Sequence, residues 1–219
     1  MNICRQFWLN TTYKSSIRPA TSSANTRTHS ANHYPYLLTA GHCVAAWSWN
    51  WATANSSNTV GYVLGRAVAG VLGEGKDAGV ISSYTPEVYD VVWAMNGETP
   101  TGPASNEYYY VTPSPATAYN GLFECHVGKT TGTQCGTVEQ ANIPTSIEYE
   151  SHSYKTIQHT DVICALSGEG DSGGPVLSNY YGTAILLAGS GISCGNGGVA
   201  IGYELAYALA DLDVHLPNN

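Results

Sequence analysis

Gly170-Asp171-Ser172-Gly173-Gly174-Pro175 sets one serine inside a run of residues that permit a sharp, exposed turn. Upstream, Thr39-Ala40-Gly41-His42-Cys43 offers a histidine beside a cysteine. A serine hydroxyl is a weak nucleophile until a neighbouring base takes its proton, and that base must be held in one tautomer by a third group. Each stretch alone has a plain reading, a turn in one case and a packed core histidine in the other. Together they supply two of the three groups that such chemistry needs.

Both stretches resemble those of the chymotrypsin-like serine endopeptidases, in which a TAGHC-type motif carries the base and a GDSGGP-type motif the nucleophile. The resemblance implies His42 as general base and Ser172 as nucleophile, with an acid between them, since this family runs His, Asp, Ser along the chain. Asp77, in Lys76-Asp77-Ala78-Gly79-Val80-Ile81, enters a short apolar strand and is the expected acid; Asp90, in Tyr89-Asp90-Val91-Val92-Trp93, is the alternative. The backbone N–H groups of Gly170 and Ser172 are the implied oxyanion hole, glycine at 170 allowing the conformation that aims its N–H into the site. Asp171 is expected to be buried and paired with a cation that holds the loop open for substrate. Animal members use a new Ile-Val-Gly-Gly-type N-terminus for this, which nothing here resembles. Bacterial members commonly use an arginine after the first cysteine of a hairpin, where this chain has His126. An imidazolium at 126 paired with Asp171 predicts activity that falls reversibly as the ring loses its charge; an exposed hairpin histidine is the alternative.

The six cysteines, Cys4, Cys43, Cys125, Cys135, Cys164 and Cys194, allow fifteen pairings, among which spacing does not choose. The run from Cys125 to Val138 is similar to a disulfide-closed hairpin of the streptogrisin and α-lytic branch, which implies Cys125–Cys135 and a bacterial or similar microbial source. By the same resemblance Cys164 pairs with Cys194, bracing a specificity pocket, and Cys4 with Cys43. Three such bridges imply an oxidising compartment and a secreted protein. No CxxC pair or His/Cys cluster with ligand spacing points to zinc, so no metal and no cofactor are expected.

Composition agrees. Charged residues make up 11% of the 219, and Tyr outnumbers Phe by 16 to 2, a polar and uncharged balance that suits a secreted protein. A net charge of −8 with 8 Lys and Arg in no basic run excludes a nucleic-acid backbone as partner. No apolar run is long enough for a transmembrane helix, and no membrane partner is expected. The start, Met1-Asn2-Ile3-Cys4-Arg5, lacks the features of a secretory signal. For a secreted enzyme this predicts a truncated or recombinant form from which a signal, with or without a pro-segment, has been removed; an incompletely defined gene is the alternative. The expected partner is a protein or peptide substrate, and the expected state a monomer.

Short apolar or alternating runs separated by Gly, Pro, Asn and Ser predict strands at Tyr36–Thr39, Thr59–Leu64, Gly79–Ile81, Tyr108–Val111, Val176–Leu177 and Ala184–Ala188. Helical periodicity arises only at Tyr203–Leu212, with leucines at 205, 209 and 212 on one face. An all-β chain with a short C-terminal helix matches what the family implies: two antiparallel six-stranded β-barrels with the site in the cleft between them. The Gly- and Pro-rich run Asn96–Pro103 is the natural crossover, giving an N-terminal barrel over 1–98 with His42 and Asp77 and a C-terminal barrel over 99–219 with Ser172.

By resemblance, Leu166 and Ser167 line the base of the specificity pocket, Glu169 its rim, and Ala188, Gly189 and Ser190 the opposite wall. There is no trypsin-like acid at the base and no histidine on that wall, so an apolar or mixed P1 preference is expected. Cys164 stands further before Ser172 than in relatives, which leaves the pocket's alignment open. The interval from Cys4 to Cys43 is also longer than in the compact bacterial enzymes; within it Ser15–Asn25 reads as a surface loop. Asn10-Thr11-Thr12 and Asn55-Ser56-Ser57 match glycosylation acceptors. Trp47, Trp49 and Trp51 alternate as on one strand face and read as barrel packing or as a carbohydrate platform.

Two function classes follow from the resemblance: an active serine endopeptidase, or a catalytically silent homologue that keeps the fold for binding or adhesion. An α/β-hydrolase esterase is excluded, because it needs Gly-x-Ser-x-Gly and the order Ser, acid, His. The histidine after Ser172 is His215, near the end of the chain.

Overall fold

The computed structural model describes residues 13–15, 34–45, 51–54, 60–83, 91–93, 95–96, 99–100, 108–110, 114–128, 130–149, 152–179, 181–190, 194, 198–214 and 216. The N-terminal half contributes β1 (Tyr13–Ser15), β2 (Tyr34–Thr39), a one-turn helix α1 (Gly41–Ala45), β3 (Trp51–Ala54), β4 (Val60–Gly73) and β5 (Lys76–Ser83). These strands form an antiparallel sheet in the order β1-β2-β5-β4-β3. Short ribbons follow, β6 (Val91–Trp93) with β9 (Tyr108–Tyr110) and β7 (Met95–Asn96) with β8 (Thr99–Pro100). The predicted crossover at 96–103 therefore contains a small pairing of its own. The C-terminal half holds β10 (Phe123–Gly128), β11 (Gly132–Tyr149), β12 (Ser153–Ile163), β13 (Pro175–Ser178), β14 (Tyr181–Ser190) and β15 (Val199–Glu204). They run in the order β10-β11-β12-β15-β14-β13 and close by pairing β10 to β13.

The chain is thus mostly strand, as expected. One half is a closed six-stranded barrel, while the described residues of the other form a five-stranded sheet.

Alternation along β14 and β15 explains their nearly unbroken apolar sequence. Ile185, Leu187, Val199, Ile201 and Tyr203 face a core shared with Leu37, Leu38, Val80 and Ile81 of the N-terminal sheet. Their neighbours Ala184, Leu186 and Ala200 face the barrel interior with Val138, Ile163 and Val176. Because side chains alternate with period two, a strand buried on both faces is apolar throughout.

The C-terminal helix, α2 (Leu205–Leu212), starts two residues later than predicted. Tyr203 is claimed by the sheet, paired with Thr160 and Ile185. Leu205, Ala208, Leu209 and Leu212 form its buried face, joining the core that contains the N-terminal sheet. Lys76 at the head of β5 pairs with Asp211 at 2.7 Å, and the Gln158 N–H of β12 donates to the Gly75 carbonyl at 2.8 Å. The two halves are therefore joined through core, helix and hairpin tip.

Two expected disulfides are present. Cys125–Cys135 bridges directly opposed residues of β10 and β11, and Cys164–Cys194 ties the segment before Ser172 to the one after β14. Cys4, and with it the expected Cys4–Cys43 pair, lies outside the described residues, as do Asn10, Asn55, Trp47, Trp49, most of the Ser15–Asn25 run and His215.

Candidate active site

His42 sits on α1, which crosses β4 and β5 so closely that a Cβ on Gly41 would stand 2.0 Å from the Val71 carbonyl oxygen. Glycine before the histidine is therefore a steric requirement. Asp77, the second residue of β5, is fully buried. The His42 backbone N–H donates to Asp77 Oδ1 at 2.8 Å, and His42 Nδ1 lies 2.7 Å from Oδ2. A carboxylate only accepts, so the ring proton resides on Nδ1 and the acceptor lone pair on Nε2. That is the tautomer a general base needs. The sequence pair His42 and Asp77 is thus brought together, while the alternative acid Asp90 lies outside the described residues.

Asp77 has a partner that the sequence reading missed. The Tyr149 hydroxyl, at the end of β11, donates to Asp77 Oδ2 at 2.7 Å. Its ring stands edge-on to the imidazole, with centroids 5.3 Å apart and planes at 63°. Burial, then the charge of Asp77, push the phenol well above its usual range and keep it a donor. Nothing in Ile147-Glu148-Tyr149 distinguishes this tyrosine from any strand residue of alternating burial.

Ser172 lies on a turn docked against the histidine helix: its carbonyl oxygen is 3.8 Å from Cys43 Sγ. Its hydroxyl donates to the Leu187 carbonyl of β14 at 2.7 Å. Gly170 has φ +97°, a conformation costly for any other residue and one that orients the following peptide of the turn.

Asp171 is buried, as expected, but its partners are not the expected cation. Oδ1 accepts from the Thr130 N–H at 2.6 Å and the Thr131 N–H at 3.2 Å. Oδ2 accepts from the Thr131 hydroxyl at 2.7 Å and the Gly168 N–H at 2.9 Å. The tip of the disulfide-closed hairpin supplies these donors. His126 turns elsewhere and is buried, not exposed; its Nε2 donates to the Leu166 carbonyl at 2.8 Å. Burial holds the ring below its usual pKa, against the opposing pull of Leu166 and Asp171. A neutral imidazole donating from Nε2 replaces the imidazolium that the sequence suggested.

The expected pocket segments lie against one another. A Cβ on Gly189 would stand 2.7 Å from the Ser167 carbonyl oxygen, and the Ser167 hydroxyl is buried without a hydrogen-bond partner. Leu166 and Glu169 are exposed, and Ala188 is half-buried. The Ser190 side chain is outside the described residues. Among the described residues no group of three or more His, Cys, Asp or Glu could hold a metal ion, and no helix is long and apolar enough to cross a membrane.

Fold and site together define a two-part β-protein in which a histidine–carboxylate pair and a serine turn meet where the parts touch. The chain belongs to the trypsin family of chymotrypsin-like serine endopeptidases, whose family model, Trypsin, matches residues 16–209. Streptogrisin-C of Streptomyces griseus is 33% identical over 168 residues, covering 74% of this chain and 35% of that protein. The chain thus spans about a third of the length of this curated relative. Among solved structures, the Nocardiopsis protease NAPase is similar with a TM-score of 0.61 at 25% identity, covering 86% of this chain and 88% of its own. Protease A of Thermobifida fusca gives a TM-score of 0.61 at 26% identity, covering 85% and 86%.

Proposed function

We propose that this chain is a secreted serine endopeptidase that hydrolyses peptide bonds through an acyl-enzyme on Ser172. The observation that carries this reading is the two-point contact of His42 with Asp77, which fixes the tautomer and the plane of the base. In this mechanism the Ser172 hydroxyl leaves Leu187, attacks the scissile carbonyl carbon and gives its proton to His42 Nε2. Asp77 stabilises the resulting imidazolium, and the Gly170 and Ser172 N–H groups receive the oxyanion. His42 then protonates the leaving amine, and water repeats the cycle on the ester.

Substrate proteins or peptides would lie between Leu166, Ser167 and Glu169 on one side and Ala188, Gly189 and Ser190 on the other. The division near residue 98 into a half with His42 and Asp77 and a half with Ser172 fits this reading, as do a monomeric state and an earlier pro-segment. Two disulfides suit an oxidising compartment.

A second reading, a silent homologue that binds without cleaving, is favoured by the Ser172 hydroxyl resting on Leu187. A fluorophosphonate probe decides between them. Adduct at Ser172 in the parent chain, located by peptide mass spectrometry and lost in Ser172→Ala, supports the endopeptidase. A folded, disulfide-intact sample that stays unlabelled supports the silent homologue.

A further inference from the structure

Asp77 and His42 come from the N-terminal half, yet one of the three donors to the carboxylate comes from the C-terminal barrel. Tyr149 closes β11 and reaches Oδ2, the same oxygen that faces His42 Nδ1. Two donors therefore share one oxygen while the His42 N–H holds the other.

We propose that Tyr149 is a positioning residue for the His42–Asp77 pair, its hydroxyl lowering the basicity of His42 and its ring edge fixing the imidazole plane. The inference rests on reading this pair as the base of an acyl-transfer site. The two donors compete for Oδ2. A carboxylate oxygen that already accepts from a phenol has less charge to offer an imidazolium, so the protonated ring is stabilised less than it would be by Asp77 alone. The edge contact adds direction, since the positive rim of the tyrosine ring favours a T-shaped approach to its neighbour.

Other titratable groups around the pair are Cys43 on α1 and Tyr203 of β15. The pKa of Tyr203 is raised first by burial and then by Asp211, with a further push from Asp77. Tyr203 donates to Asp211, which in turn pairs with Lys76 of β5. These partners lie outside the shared oxygen and are unchanged by the test.

The test is titration of the His42 ring by NMR in a Ser172→Ala background, with and without Tyr149→Phe. Phenylalanine keeps the ring edge and removes the donor. The expected result is an upward shift of the His42 pKa by roughly half to one unit, a fraction of the strength of a charge-assisted hydrogen bond. In the Ser172 form, the acid limb of kcat/KM should move up by the same interval, with KM nearly unchanged. Replacement of Tyr149 by 3-fluorotyrosine, a stronger donor of almost the same shape, should move both in the opposite direction, and it supplies the answer if the phenylalanine variant fails to fold. An unchanged His42 titration in both variants overturns the proposal. Failure of the parent chain to take the fluorophosphonate would instead overturn the endopeptidase reading, and the NMR titration would still decide the role of Tyr149.

Discussion

Raising the pH from 5 to 8.5 should destabilise this protein through three acids that the barrel encloses. Glu124 of β10, Asp161 of β12 and Glu204 of β15 are all buried. Both Glu124 oxygens, Asp161 Oδ2 and Glu204 Oε1 have no hydrogen-bond partner. Burial pushes the Glu124 carboxyl up to about 7, with the charge of Glu204 adding and the nearby Thr183 hydroxyl giving a partial offset. Asp161 rises to about 8, again chiefly by burial, with Glu204 and Glu124 adding against the Asn142 N–H. Glu204 is also raised by burial.

An acid whose pKa is higher folded than unfolded holds its proton in the native state after the unfolded chain has released it. Stability is then greatest below the unfolded value and falls as pH climbs through the folded one. The window here runs from about 4 to about 8. At 1.36 kcal/mol per unit, the rise of Glu124 from 4.5 to about 7 corresponds to about 3 kcal/mol. That is a large share of the roughly 5–15 kcal/mol that holds a typical domain, and about 6–12 °C in Tm for a chain of this size. Urea denaturation and calorimetry of the Ser172→Ala form, which excludes cleavage through the proposed nucleophile, would measure it at pH 5 and 8.5. The Glu124→Gln variant should lose part of the difference, because an amide carries no titrating proton. Equal stability at the two pH values, or a parent and variant with the same slope, would refute the argument.

Asp77→Asn should lower kcat by about 10³–10⁴-fold with little change in KM, since the amide can present the wrong tautomer to His42; steady-state kinetics on a peptide substrate would show it. Gly41→Ala forces a methyl against the Val71 carbonyl and should cost about 1–3 kcal/mol or more, read as a lower Tm or loss of soluble protein. Replacing Cys164 and Cys194 together by serine opens a loop with a sequence separation of 30; stability should drop by about 3–4 kcal/mol in urea denaturation, and labelling of Ser172 should slow.

What was legible in the sequence was short motifs with fixed spacing. His42 and Ser172 stood out because their neighbours are constrained, and the Gly41 contact supplies one of those constraints. The Cys125–Cys135 hairpin was legible by resemblance, but what its tip does was not. Asp171 accepts from backbone N–H groups of Thr130, Thr131 and Gly168, and backbone donors leave no mark in side-chain identity. A titratable residue such as His126 invites a charged reading, and only its burial shows the neutral one. Tyr149 and the three enclosed acids were missed for a related reason. Alternation reveals which strand face points inward, not what lies across the interior. The helical stripe begins two residues before the helix itself because Tyr203 satisfies both a helical stripe and a sheet register, and tertiary pairing decides between them.

The return of α2 to the N-terminal sheet bears on the order in which the molecule is made. Lys76, beside Asp77, waits for Asp211, and Leu37, Val80 and Ile81 share their core with Leu205, Leu209 and Leu212. A chain emerging from its N-terminus would leave this apolar surface uncovered until residues 205–212 arrive, exposed to misassembly meanwhile. Assembly of the His42–Asp77 side of the molecule would then wait for a helix that is made long after it.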